Sequence, residues 1–236
     1  MLKVLDRGKD NSSIVLNDRD FNDLLCEKLV LVEPGEEEGQ LLVQQYQRQA
    51  ACFDSSNLVL TICPTLRCNF RCPYCFESSQ ADVKTMSQKT QERLVDWIKQ
   101  YKNIKNFNAG WYGGEPLLAF EAICELTEKF KALDLNFDNV GLITNGYLLY
   151  KDKIARLNDL KIADIQVPLD GPREVHDSRR FLAGGGPTFD RILENITNLM
   201  NSDYAGRCHI RVNVDRHNIR NYLDLRASLL EQFKDT

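Results

Sequence analysis

The chain has 236 residues, 43% of them hydrophobic, with eight cysteines and a formal net charge of −4. That size and composition suit one globular domain with room for a small appendage. The mild acidity argues against a nucleic-acid partner, and no apolar run approaches the ~18 residues that would span a membrane. The opening "MLKVLDRGKDNSS" has neither the apolar core nor the cleavage site of an export signal. A cytoplasmic protein is therefore expected, and there eight cysteines speak for metal or thiol chemistry rather than disulfides.

In chain order, residues 1–56 come first, with six Lys/Arg against eleven Asp/Glu, while the remainder is nearly balanced. They are expected to form an acidic N-terminal appendage of strands and a helix, ahead of a core domain over 57–236. "EPGEEEGQ" (33–40) is expected to be a solvated loop. "LVLTI" (58–62) then predicts a buried strand. Leu94, Trp97, Ile98 and Tyr101 predict a helix capped by Ser87. "NAGWY" (108–112) predicts the next strand, and Leu118, Ile123, Leu126 and Phe130 the next helix. "NVGLI" (139–143) is followed by a helix carrying Ile154, Leu157 and Leu160. "IADIQV" (162–167) precedes a helix with Phe189, Ile192, Ile196 and Leu199. "CHIRVNV" (208–214) precedes one with Tyr222, Leu225, Leu229 and Phe233. This alternation predicts an α/β fold of parallel strands with covering helices, either a doubly wound sheet or a complete or partial β/α barrel.

The short polar motifs fall after successive strands: "CPTLRCNFRCPYC" after the first, "GGEP" (113–116) after the second, "TNG" (144–146) after the third and "PLDG" (168–171) after the fourth. The C-terminal edge of parallel strands is where β/α proteins build their sites, so the four loops are expected to share one. Cys68, Cys72 and Cys75, at C-x₃-C-x₂-C spacing, are three candidate metal ligands. A closed zinc site or electron-transfer cluster would need a fourth, and Cys63 is the obvious candidate, although Pro64 holds it extended. A redox pair in "CPYC" would not carry a third thiol beside it. The favoured reading is a [4Fe–4S] cluster with thiolates on three irons and the fourth left open. The remaining Cys26, Cys52, Cys124 and Cys208 read as ordinary buried thiols.

"CNFRCPYC" (68–75) resembles the cluster motif of the radical S-adenosylmethionine (SAM) enzymes, with Tyr74 in the aromatic place. "WYGGEPLL", "LITNGYLL" and "VPLDGPREVHDSRR" resemble the peptide- and protein-modifying branch, which includes sulfatase maturases and other maturases with a cysteine-rich C-terminal extension. The resemblance runs from about residue 57 to about residue 220. It implies a partial barrel of six parallel β/α units, five of which are recognisable. It also implies that SAM chelates the open iron and is reductively cleaved to a 5′-deoxyadenosyl radical that takes a hydrogen atom from a peptide or protein side chain. The electron would come from a low-potential donor such as ferredoxin or flavodoxin. Formylglycine formation on a sulfatase, or activation of a glycyl-radical enzyme, is the alternative within the class. An iron–sulfur or zinc module without catalysis is the alternative outside it.

The same resemblance assigns Tyr74, Gly113, Gly114, Glu115, Asn145, Asp170 and Arg180 to cofactor binding. The glycines would let the backbone approach the methionyl group. Glu115 would accept from its ammonium, and Arg180 would pair with its carboxylate. Asn145 and Asp170 read equally well as turn residues. His176 and Asp177 are expected to hold their loop, and Asn213 to face the cofactor. Pro168 stands where relatives often carry serine, which removes a hydroxyl and a backbone donor. The sixth unit and the C-terminal extension are not recognisable, so a shortened core is expected.

Overall fold

The computed structural model describes residues 37–77 and 84–234. They fall into two units divided between Ser55 and Ser56. In the first, one helix, α1 (Glu37–Phe53), includes residues 37–40, which the sequence reading gave to a loop. Positions 1–36, with Cys26, lie outside the described residues. Cys52, near the end of α1, is exposed rather than buried, and Cys124 and Cys208 in the second unit are only partly buried.

The second unit carries the predicted alternation. Its strands are β1 (Asn57–Ile62), β2 (Asn106–Trp111), β3 (Asn136–Phe137), β4 (Val140–Ile143), β5 (Ile162–Pro168) and β6 (Arg207–Arg211). Its helices are α2 (Gln88–Ile98), α3 (Phe120–Lys131), α4 (Lys151–Ile154), α5 (Arg173–Arg179), α6 (Phe189–Met200) and α7 (Tyr222–Gln232). All strand pairs are parallel, in the order β1-β2-β4-β5-β6. Each of these strands lies beside the one before it. A doubly wound sheet would reverse its order at some point, so the choice left open by the sequence resolves to singly wound β/α units. Among the described residues β1 and β6 do not pair, and the sheet is an open partial barrel.

Period-two burial along β2 explains how the sheet serves two purposes. Phe107, Ala109 and Trp111 are buried and join Ile123, Leu126 and Phe130 of α3 in the core. The Phe107 and Phe130 rings meet edge to face at 4.9 Å, and Phe137 stacks on Phe107 at 5.3 Å. The alternate positions Asn106, Asn108 and Gly110 point to the other face, which is polar. There an amide ladder crosses three strands: Asn136 Nδ2 donates to Asn106 Oδ1 at 3.1 Å, and Asn106 Nδ2 to Asn57 Oδ1 at 2.8 Å. The two-residue β3 was not anticipated. It pairs with the start of β2, and β4 pairs with its end one residue out of step, the slack being taken up at Asn139, whose φ is +55°.

Other differences are local. Ser87 caps α2 as expected, accepting from Thr90 N–H at 3.2 Å. The buried stripe of α2 is Gln91, Val95 and Ile98, while Trp97 and Tyr101 pair edge to face at 4.8 Å on the surface. Pro116 opens a 3₁₀ turn over Pro116–Ala119, with Leu118 exposed. Ile154, Leu157 and Leu160 are all buried, but only the first is in regular helix. In α7 only Leu225 is buried.

Candidate active site

The four loops meet at the C-terminal edge of the sheet. The cysteine loop leaves β1 and is fastened to the end of β2: Gly114 N–H donates to Thr65 O at 3.3 Å, and Glu115 N–H to Arg67 O at 2.8 Å. A Cβ at Gly113, whose φ is +115°, would lie 2.4 Å from Thr65 O; one at Gly114 would lie 2.4 Å from both Leu66 O and Arg67 O. The glycines are thus required first by the cysteine loop packing on them, a reason the sequence did not reveal. The far side of the same loop is fastened beyond α5, where Arg71 N–H donates to Phe181 O at 3.0 Å and Ala183 N–H to Asn69 O at 2.7 Å.

Between these loops lies a cavity of about 330 Å³. Eight of the ten residues singled out from the sequence line it: Cys68, Cys72, Cys75, Tyr74, Gly113, Gly114, Asn145 and Arg180. Asn213 and Pro168 line it too, with Asn213 in the loop just past β6 rather than within that strand. Cys63 is not among the lining residues, and its Cβ is 3.2 Å from where a Gly113 side chain would begin.

Glu115 and Asp170 are the two that do not line the cavity. Each is fully buried behind it. Glu115 Oε1 accepts from Leu117 N–H at 3.0 Å and from the Thr144 hydroxyl at 2.7 Å, and Oε2 accepts from Asn145 N–H at 2.7 Å. It therefore joins the second loop to the third. Burial pushes its carboxyl upward, while the three donors pull the other way. Asp170 does the same for the remaining loops. Its Oδ1 accepts from Asn213 N–H and Nδ2 at 3.1 and 3.2 Å, and its Oδ2 accepts from the Tyr74 hydroxyl and lies 3.5 Å from Arg179 Nε. Arg180 Nη1 donates to the Tyr74 hydroxyl oxygen at 2.7 Å, and its buried Nε has no partner among the described residues.

Burial and neighbouring acidic groups raise Cys68 and Cys72, and one nearby donor or cation opposes the rise at each. Burial pushes Cys68 up to about 11, against which Phe70 N–H donates to its sulfur at 3.4 Å. Asn145 Nδ2 approaches the same sulfur at 4.0 Å. Burial also raises Cys72, and the Arg180 guanidinium pulls it back. Among the described residues no three His, Cys, Asp or Glu groups converge as a single-ion site. A cubane does not ask for that, because its thiolates sit on separate irons around a larger body. Three thiols lining one cavity, with a buried arginine holding an unused donor beside them, fit such a group and an anionic ligand next to it.

The "PLDG" loop is held from below by His176, which is fully buried. Its Nδ1 accepts from Asp170 N–H at 3.3 Å, so the ring proton sits on Nε2 and is donated to Thr188 Oγ1 at 3.1 Å. Thr188 in turn donates to Arg180 O. Asp177 accepts from Thr188 and Phe189 N–H at 2.7 and 2.9 Å, at the start of α6. Both residues hold their loop, as expected. Sequence reasoning missed Asn218, whose Nδ2 donates to Asp170 O at 2.7 Å, and it missed Gln166 and Arg211, which line the cavity. Period two would have found the last two, since both share a strand face with residues already suspected.

A family model described as the radical SAM superfamily matches residues 62–227. The cysteine-type anaerobic sulfatase-maturating enzyme of Clostridium perfringens is 33% identical over 134 residues, covering 53% of this chain and 36% of that one. The serine-type anaerobic sulfatase-maturating enzyme of Bacteroides thetaiotaomicron is 29% identical over 141 residues, covering 55% and 33%. A solved structure of native anSMEcpe with bound AdoMet and the Cp18Cys peptide superposes with a TM-score of 0.62 at 25% identity, over 75% of this chain and 48% of that one. The chain spans about a third of the length of these curated relatives.

Proposed function

The chain belongs to the radical SAM superfamily, and from that premise we propose that it binds a [4Fe–4S] cluster through Cys68, Cys72 and Cys75, binds SAM beside it, and serves the modification of a peptide or protein side chain. When bound, the cluster and SAM supply one-electron cleavage of the sulfonium and abstraction of a substrate hydrogen atom, with the electron drawn from a ferredoxin- or flavodoxin-type donor. The observation that carries the reading is the meeting of three thiols, the Gly113–Gly114 turn, Asn145 and Arg180 around one cavity.

The chain's own residues divide the work. The cysteine thiols must lose their protons on binding iron, and Phe70 N–H and Arg180 lower that cost. Arg180 offers its free Nε to a carboxylate, the group the methionyl end of SAM presents. Tyr74, held between Asp170 and Arg180, fixes the rim of the cavity nearest the cysteines. Glu115 acts by fixing Asn145 and the turn at Pro116. A sulfatase-type maturation is the second reading, favoured by two relatives that carry that description.

Anaerobic reconstitution tests the proposal. About four irons per chain are expected, with an optical change on adding SAM and slow formation of 5′-deoxyadenosine on reduction. Cys68→Ala, Cys72→Ala or Cys75→Ala should abolish the cluster and Cys63→Ala should spare it. Loss of the cluster in Cys63→Ala would mean a closed four-thiolate site and would sink the open-iron reading.

A further inference from the structure

The polar face of the sheet carries a row of basic side chains along β6, and the row is matched on β5 everywhere but at the cavity. Arg207, His209 and Arg211 alternate on one face of β6, and they lie in register with Asp164, Gln166 and Pro168 of β5. Arg207 Nε donates to Asp164 Oδ1 at 2.9 Å, and His209 Nε2 lies 3.1 Å from the same oxygen. Two residues further, about 6.6 Å along the strand, Arg211 faces Pro168, which has nothing to offer a cation. Among the described residues no hydrogen bond or ion pair engages its side chain, although Glu77 lines the same cavity. A second observation points the same way. Gln166 also lines the cavity, on the same face of β5, and its side-chain nitrogen is buried with no partner. An unpaired guanidinium and an unspent amide N–H on adjacent strands suit one kind of group, an oxyanion with two acceptor atoms.

We propose that Arg211 and Gln166 form a carboxylate-binding subsite in the strand wall of the cavity, and that the substrate presents an acidic side chain to it. The inference rests on the proposed function for the identity of the cavity. It deepens that reading by naming the charge of the group placed there. Arg180 already serves as the carboxylate partner proposed for SAM, which leaves Arg211 to the substrate. Arg211 is an exposed residue on the last strand of the sheet, so replacing it should leave the fold intact.

The test is equilibrium dialysis of two capped tripeptides, Ala-Glu-Ala and Ala-Gln-Ala, against the reconstituted chain loaded with SAM. The parent should prefer the glutamate peptide by about tenfold to a hundredfold, the worth of a hydrogen-bonded charge pair. Arg211→Gln should erase the preference, Arg211→Lys should restore part of it, and Gln166→Ala should shrink it. SAM affinity should be unchanged in Arg211→Gln. Equal binding of the two peptides to the parent, or a preference that survives in Arg211→Gln, overturns the subsite. A tenfold loss of SAM affinity in Arg211→Gln, absent with decarboxylated SAM, would give the carboxylate to the cofactor and overturn the substrate assignment. A parent chain that takes up neither iron nor SAM would sink the proposed function instead, and the peptide comparison on the cluster-free chain would still read the subsite.

Discussion

Glu115 has no solvent contact and three donors, and that decides what its replacement must do. Glu115→Ala would leave the N–H groups of Leu117 and Asn145 and the Thr144 hydroxyl without an acceptor. A buried unsatisfied donor costs about 1–3 kcal/mol, so a loss of about 3–5 kcal/mol in urea unfolding is expected once the site relaxes. Iron uptake should fall with it, because Glu115, whose backbone N–H holds the cysteine loop at Arg67 O, is anchored by the same carboxylate. A variant as stable as the parent, with normal iron but SAM affinity down tenfold or more, would return Glu115 to direct contact with the cofactor. At this scale, residue type and spacing made it legible that the three thiols act together, and all three line the one cavity. The reason for the glycines was not legible, since the backbone oxygens they make room for lie 47–48 positions earlier in the chain.

At the scale of elements, α5 and the loop it follows depend on a neutral histidine. Burial and the Arg180 charge lower His176 to about 4, with Asp170 and Asp177 pulling it back up. The folded value lies below the ordinary 6.5, so the unfolded chain binds the proton more readily between the two. The stability His176 contributes is therefore complete above about pH 6.5 and is lost as pH falls toward about 4, at most about 1.4 kcal/mol per unit and about 3 kcal/mol in all. Urea midpoints measured from pH 7.5 to 4.5 should show this slope in the parent, and it should flatten in His176→Gln. An equal slope in both would place the acid sensitivity elsewhere. This helix was not legible from the sequence, because seven residues are too few to show a period. The face of α2 was misread for a different reason. Trp97 and Tyr101 looked like core by hydrophobicity, whereas the buried stripe contains Gln91, whose Oε1 accepts from Lys129 Nζ at 2.9 Å and so makes a polar residue tolerable inside. The predicted strand over 208–214 ended early because Asn213 N–H goes to Asp170 Oδ1 rather than to a neighbouring strand. The strands themselves and their parallel alternation were legible, because short β-branched runs and helical spacing recur in register with the polar loops.

For the whole molecule, the sheet brings together four loops that lie far apart in sequence, so the site exists only when the sheet is formed. Binding and folding are then linked. SAM at about 100 times its Kd should stabilise the reconstituted chain by about 2.7 kcal/mol. For a unit of this size that is about 5–10 °C in Tm under anaerobic conditions. Two substitutions separate the core from the site. Phe130 is fully buried against Phe107, Trp111 and Phe137 on the helix side of the sheet and does not line the cavity. Phe130→Ala should lower stability by about 3–5 kcal/mol and leave the increment from SAM unchanged. Gly114→Ala should do the reverse. Its methyl would displace the backbone at Leu66 and Arg67 and shift the cysteine loop off the strand edge. The core is untouched by it, so the fold should persist while the SAM increment disappears. Calorimetry on the two variants, each with and without SAM, reads both effects. If Gly114→Ala kept the full increment, the packing of the cysteine loop on the Gly113–Gly114 turn would not be what shapes the binding cavity.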